Sequence, residues 1–435
     1  MPEQAIERVE APEIGERMER ALLPSGLMVQ VLPKPGFAKK YATFATHYGG
    51  LDSSFQVPGE SGRTDVPDGI AHFLEHQLFA EEDGDAMDRF SRLGAGSNAF
   101  TTHTSTTYLF STSEHFEEAL GILLDFVQHP YFTEAGVQKE RGIILQEIRM
   151  YQDDPRWQID FQLRQALYVR HPFRLDVAGT PDSIRQITRD LLERCYRTFY
   201  HPSNMVLTVV GDVDPRRVVD QVAEDQARRG LRAQVPIRRF RPEEPDRIGR
   251  KRVEKRMPVA RPWVAVGFKE RGGAAEGLAA FRRELATSLL LELLFGRGSD
   301  FYASAYEEGL IDGSFGSGYN GDEDFGMSVV EGETDEPERL VERVLEAVEE
   351  TRRRGVDPDR FEALRKKVLG GLVQELDSPE SLAYMANEAY FHGHTLFDSF
   401  AVARELRLEE VEERLRGHLD PDFHAVSLVL PEGRA

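Results

Sequence analysis

Residues 68–82 read D-G-I-A-H-F-L-E-H-Q-L-F-A-E-E, and there two histidines and a carboxylate fall on one helical stripe. On an α-helix, positions i, i+3 and i+4 share a face, so His72 and His76 can reach one ion while Glu75 points into the same space. Ile70, Phe73, Leu74 and Leu78 form an adjacent apolar stripe, which would fix the helix against a core and keep two ligands in register. Pro67 precedes the helix, and Asp68 is the expected N-cap.

The pattern H-x-x-E-H is the inverted zinc-peptidase signature, in which the two histidines hold Zn²⁺ and the glutamate is a general base. Composition agrees with such a site. A chain of 435 residues is too long for one ordinary core, so two or more domains are expected. Its single cysteine, Cys195, excludes an intramolecular disulfide and a thiolate cluster, leaving histidine and carboxylate to hold any metal. A net charge of −21 opposes nucleic acid and anionic membrane as partners and is compatible with cationic or extended peptides. No run of eighteen apolar residues occurs, and the first residues, M-P-E-Q-A-I-E-R-V-E, lack the features of a signal peptide, so a cytoplasmic protein is expected.

Working outward from the motif, residues 1–20 are charged and without clear periodicity, which reads as an exposed arm. Residues 22–32 read as two short β segments around Ser25-Gly26, and 41–48 alternate like a strand. Residues 94–112, G-A-G-S-N-A-F-T-T-H-T-S-T-T-Y-L-F-S-T, combine strand formers with Gly, Ser and Asn, as expected of an exposed edge strand near the metal. Such an edge can pair with an extended peptide, main chain to main chain. A long helix over roughly 133–151 carries Glu140 and Glu147, seven apart and on one face; either could complete a site of two histidines and one carboxylate.

The second half repeats the first. Strand, acidic turn and amphipathic helix from Tyr108 have a counterpart from Gly326, each followed by a further helix, a displacement of roughly 220 residues that argues for duplication. The segment displaced from the His72 helix, S-L-L-L-E-L-L-F at 288–295, has leucines in place of the histidines. The expected fold is therefore α+β. It has an N-terminal zinc-binding domain over 1–229, a linker over 230–249 and a homologous domain without a metal site over 250–435. Each domain is a mostly antiparallel sheet with helices packed on one face, the two enclosing a cavity.

With H-F-L-E-H at 72–76, E-R-G-I-I-L-Q-E-I at 140–148 and F-Y-H-P-S-N-M-V-L-T-V-V-G-D-V-D at 199–214, the sequence resembles the pitrilysin, or insulinase, family of zinc metallopeptidases. Its length and two-repeat plan look like the mitochondrial-processing-peptidase branch and its bacterial relatives. The resemblance implies a Zn²⁺-dependent endopeptidase in which His72, His76 and Glu147 hold the metal and Glu75 is the base. It makes Glu140 a supporting carboxylate behind the ligands and places Asn98 and Ala99 on the strand that receives the substrate backbone. One departure matters: family members carry an Arg and a Tyr in the second domain that polarise the substrate carbonyl, and here Tyr306 and Asp312 stand near those positions. Arg297 and Tyr302 lie nearby at a spacing that does not fit. The missing pair implies a heterodimer with a homologous subunit that lacks H-x-x-E-H and carries the Arg and Tyr. The competing reading is a non-catalytic scaffold or peptide-holding subunit of an assembly.

Overall fold

The structure is a computed structural model and describes residues 4–82, 84–271 and 273–433. The chain forms two compact units, one of residues up to 148, 176–241 and 373–397, the other of 149–175, 242–372 and 398 onward.

The first unit is built on a seven-stranded sheet. Its strands are β1 (Glu7–Ala11), β2 (Glu16–Leu22), β3 (Met28–Pro33), β4 (Lys40–Thr46), β5 (Gly96–Thr101), β6 (Thr106–Thr112) and β7 (Met205–Gly211). They lie in the order β1-β2-β3-β7-β4-β6-β5, antiparallel except where β3 meets β7. The apolar run M-V-L-T-V-V-G makes β7 a strand buried along its whole length at the sheet centre, while β5 closes one edge. The segment read as an exposed arm instead contains the β1–β2 hairpin. Cross-strand pairs such as Glu7 with Arg20 and Arg8 with Glu19 account for its charge, and with both strand faces rich in Glu and Arg the alternation of a strand is hidden. Residues 1–3 of that segment lie outside the described residues.

One face of this sheet carries the His72 helix (Ile70–Leu78) and the helix Phe116–Gln128, with the helix Arg189–Phe199 packed against the His72 helix. Tyr108 of β6 packs there against Phe79 and Phe126, and its hydroxyl lies 2.8 Å from that of Tyr200. The opposite face is crossed by a helix from far along the chain, Pro379–Phe391. Asn387 of that helix donates to Thr43 Oγ1 at 3.0 Å and accepts from Thr208 Oγ1 at 2.7 Å, so two buried threonines and a buried amide satisfy one another.

The second unit has a five-stranded sheet of β8 (Arg252–Met257), β9 (Trp263–Lys269), β10 (Gly316–Gly321), β11 (Gly326–Glu333) and β12 (His424–Pro431), in the order β8-β12-β9-β11-β10. Only β8 and β12 run parallel. This is the arrangement of β3-β7-β4-β6-β5, and β10 and β11 begin 220 residues after β5 and β6 (316 less 96, 326 less 106), so the repeat in sequence is a repeat in topology. Its sheet is crossed by the helix Pro155–Leu167, with Leu163 so close to β9 that a Cβ on Gly267 would stand 2.7 Å from it.

The units therefore do not follow the expected linear domains. Residues 149–175 belong with the second unit and 373–397 with the first, because each sheet has a second face to bury and a helix from the other half of the chain covers it. The change of unit at Arg241 and Pro242 falls inside the expected linker, which is anchored at both ends. Arg239 and Arg241 reach the buried Asp52, each at 2.9 Å, and the Glu244 carboxylate accepts from the backbone of Val169, Arg170 and His171. Among the described residues no helix is long and apolar enough to cross a membrane.

Gly69, not Asp68, occupies the N-cap of the His72 helix, with φ at 89° and no side-chain cap bond. A Cβ there would lie 2.7 Å from both the Ala178 carbonyl oxygen and Ile184 Cδ1, so the turn into the helix needs glycine for its backbone and for its neighbours. Gly69→Ala is expected to cost about 1–3 kcal/mol and to lower divalent-metal affinity along with stability. Denaturant midpoints with and without metal check this, and a midpoint equal to the parent's would contradict it.

Candidate metal centre

The His72 helix buries Ile70, Phe73, Leu74 and Leu78, which turns His72 and His76 toward the long helix Glu134–Asp153. That helix is held by its own stripe of Val137, Ile144 and Ile148, and the glutamates at 140 and 147 stand one turn beyond the first two of these. His72, His76 and Glu147 converge so that one ligand atom from each lies within 4.8 Å of the others. The two Nε2 atoms are 3.2 Å apart, His76 Nε2 is 3.4 Å from Glu147 Oε2, and His72 Nε2 is 3.6 Å from Glu147 Oε1. Donors about 2.1 Å from a tetrahedrally coordinated ion stand about 3.4 Å apart, and the two imidazole nitrogens, with a different Glu147 carboxylate oxygen close to each, stand near that spacing.

The surrounding groups suit a cation. His76 Nδ1 lies 2.9 Å from Glu140 Oε1. A carboxylate can only accept, so the proton sits on Nδ1 and the Nε2 lone pair is left facing the cluster. Burial, and then the His76 ring, push the His72 imidazole down to about 4, which keeps it neutral as a ligand must be. Burial acts the same way on His76 but is outweighed by the Glu140 bond and by the Glu75 and Glu147 carboxylates, so its net shift is upward. The carboxylates that draw a proton to His76 would equally favour a metal ion in the same space. His72 Nδ1 is buried without a hydrogen-bond partner.

Glu75 points away from the apolar stripe and is buried, and burial raises its carboxyl above the ordinary range although the Thr101 hydroxyl, donating to Oε2 at 2.5 Å, pulls it down. Thr101 is the last residue of β5, and its own hydroxyl lies 3.3 Å from that of Thr106 on the neighbouring strand. The candidate base is thus tied to the edge strand. Asn98 and Ala99 both lie on that strand, opposite Leu109 and Tyr108 of β6, with Ala99 on the face of Thr101 and Asn98 on the other. Sequence reasoning did not single out Thr101 or the 379–391 helix; the hairpin register of β5 on β6 is the signal that points to the first.

In the second unit, Tyr306 and Asp312, which stand near the positions of the family's carbonyl-binding pair, are engaged by their own neighbours. Tyr306 is exposed and stacks on Tyr302 with ring centroids 5.9 Å apart, and the Asp312 carboxylate is held by Arg261 at 2.6 Å and by the Ser314 hydroxyl. Cys195 is buried, and burial pushes its thiol up to about 12, so it takes no part in metal or nucleophile chemistry.

Residues 62–180 match the model of insulinase, peptidase family M16, and residues 186–368 match that of the peptidase M16 inactive domain. The chain is 42% identical to an uncharacterized zinc protease of Bacillus subtilis (strain 168), YmfH, over 98% of its own length and 100% of that protein. It belongs to peptidase family M16. A crystal structure described as that of an M16-like peptidase from Alicyclobacillus acidocaldarius superposes with a TM-score of 0.93 at 38% identity, covering 98% of this chain and 100% of that one. A protein of Arabidopsis thaliana named as a mitochondrial-processing peptidase beta subunit is 28% identical over 46% of this chain and 37% of its own.

If His76 is held by Glu140 and the ion by Glu147, the two glutamates differ in what their loss costs. Glu147→Gln removes a charged ligand and should weaken divalent-metal binding by more than about 100-fold, whereas Glu140→Gln, which only loosens His76, should weaken it about 10–100-fold. Competition against a chelator reads both, and the opposite order would exchange their roles.

Proposed function

We propose that this protein is a zinc-dependent endopeptidase that cleaves peptides or unfolded segments, and that it is the catalytic subunit of a heterodimer. The observation that carries the first part is the spacing of His72, His76 and Glu147 donors, joined to a buried Glu75 on the same helix. Relatives named as zinc proteases support it.

Zinc bound by these three side chains would supply Lewis acidity, activating a water near neutral pH and polarising the scissile carbonyl. The chain's own groups supply the rest. Strand β5 offers its unpaired main chain, including Asn98 and Ala99, to an extended substrate, which orients the peptide without selecting its side chains strongly. Glu75, with its carboxyl raised by burial, accepts the proton of the attacking water at one carboxylate oxygen and returns it to the leaving amine. The Thr101 hydroxyl holds the other oxygen, so the proton-carrying oxygen keeps a fixed direction.

Replacing the base tests this assignment. Glu75→Gln is expected to retain zinc and lose roughly 10²–10⁴-fold in peptide cleavage. Metal content measured beside turnover decides it; zinc-replete protein with near-parental turnover would remove Glu75 from the mechanism.

The heterodimer rests on what Tyr306 and Asp312 do instead of binding a carbonyl. Tyr306 stacks on its neighbour, and Asp312, an anion paired with Arg261, would repel a developing oxyanion. Loss of one carbonyl-polarising donor costs on the order of 10²–10³ in rate, and a second copy of this chain brings the same deficiency. A homologous subunit that lacks H-x-x-E-H and carries an Arg and a Tyr would supply it. Zinc-loaded chain assayed alone and with such a subunit is expected to gain at least about 100-fold on mixing. Full activity alone, unchanged by the partner, would leave the chain an independent peptidase.

A further inference from the structure

A row of threonines crosses three neighbouring strands of the first unit and ends at Glu75. Thr46 on β4, Thr106 on β6 and Thr101 on β5 stand directly opposite one another in register, so their side chains leave one face of the sheet, the face that carries the His72 helix. At the edge, Thr101 donates to Glu75 Oε2 at 2.5 Å. Its oxygen lies 3.3 Å from that of Thr106, which is fully buried and donates to the Tyr48 carbonyl at 2.8 Å. At the inner end Thr46, also fully buried, donates to the Phe199 carbonyl at 2.7 Å. The Asn204 amide donates to that carbonyl at 2.9 Å and to Thr46 Oγ1 at 3.3 Å. The F-Y-H-P-S-N stretch at 199–204, which supplies nothing to the metal centre itself, thus anchors the row. Tyr200 of the same stretch bonds Tyr108, which lies two residues along β6 from Thr106 and on the same face.

Resting on the reading that Glu75 is the base of a peptidase, we infer that Thr101 is a positioning residue for cleavage, that it acts through Glu75, and that the threonine row behind it keeps it in place. The sheet that receives the peptide then also sets the angle of the base. The His72 helix by itself leaves the Glu75 carboxylate to turn about its last side-chain bond, a broad torsion with weak preferences. A hydroxyl donating to one oxygen narrows that torsion and so fixes where the other oxygen points. Thr101 can do this because its own hydrogen has little choice. The Thr106 hydrogen goes to Tyr48, so Thr106 offers Thr101 only lone pairs at 3.3 Å, against a charged oxygen at 2.5 Å. The branched Cβ of Thr101 limits its rotamers further. A misplacement of about 1 Å at a reacting group can cost on the order of 10²-fold in rate, so a loosened base is felt in kcat and not in peptide binding.

The test uses zinc-loaded full-length chain, with its partner subunit where cleavage requires one. Valine at position 101 keeps the shape and removes the hydroxyl, and serine keeps the hydroxyl. Thr101→Val is expected to lower kcat about 10–100-fold while KM and zinc affinity change less than about threefold, and Thr101→Ser to recover most of the loss. Thr106→Val, which loosens Thr101 at one remove, should cost about 3–10-fold in kcat. In the Glu75→Gln background, with no base left to aim, Thr101→Val should change the residual rate less than about twofold. Crystal structures of the zinc-loaded proteins give a readout apart from turnover: one Glu75 carboxylate orientation in the parent and in Thr101→Ser, and more than one in Thr101→Val. Parental kcat in Thr101→Val, a loss carried by KM or zinc affinity, or an equal loss in the Glu75→Gln background would overturn the positioning role while leaving the peptidase reading intact. Parental kcat in Thr106→Val would overturn the part given to the row. If the parent cleaves no peptide, the peptidase reading ends, and the crystal structures decide the positioning: a single Glu75 orientation in Thr101→Val would overturn it, and several would uphold it.

Discussion

Two imidazole nitrogens 3.2 Å apart, with the two oxygens of the Glu147 carboxylate 3.4 and 3.6 Å from them, are lone-pair-bearing groups that a cation among them would hold together, and the packing of the first unit keeps them there. The imidazoles come from one helix, so the i and i+4 spacing sets their separation; the carboxylate must be delivered by a separate helix, and only packing can do that. Buried Phe73, Leu74 and Leu78 fix one helix and Val137, Ile144 and Ile148 the other. Gly69 lets the chain enter the first helix where a larger residue would strike Ala178 and Ile184, and Glu140 fixes the His76 ring by its far nitrogen. Together these supports set a geometry that tolerates little error.

The second unit shows the same scaffold without that constraint. Residues 289–293, L-L-L-E-L, stand in the helix that corresponds to H-F-L-E-H, and Leu289 is buried in the core of that unit. The carboxylate of Glu292 is not aimed at a metal cluster but pairs with Lys367 at 2.7 Å. The matched sheet order in the two units therefore does not depend on metal ligands. Sheet and helices specify the fold, and the site is added to one copy by exchanging core leucines for histidines and supplying a carboxylate from the long helix.

The features readable in the sequence are those whose cause is local. The H-x-x-E-H stripe, the seven-residue step from Glu140 to Glu147 and the Gly-rich edge strand each follow from helix or strand period alone, and each is found on the expected element. What local pattern could not reveal has a long-range cause. The β1–β2 hairpin reads as an arm because cross-strand Glu–Arg pairs replace the usual apolar alternation. The crossing of helices 155–167 and 379–391 to sheets of the other half is invisible because an apolar helix face does not name the sheet it will cover. Tyr384 and Asn387 look like ordinary core positions until Phe100, Thr43 and Thr208 are found beside them. Asp68 satisfies the rule for an N-cap, but the close approach of residue 178 shifts that role to Gly69.

The pleat of β5 gives the strand two differently furnished faces. Thr101 faces the helix and holds Glu75, and Phe100, one residue earlier, faces the other way and forms a wall of a hollow. Because successive residues of a strand point to opposite faces, a substrate laid along β5 cannot shift by one residue without exchanging which of its side chains meets which face. A slip of two restores the faces but moves the peptide along the strand by about 6.6 Å, carrying the bond to be cut away from Glu75.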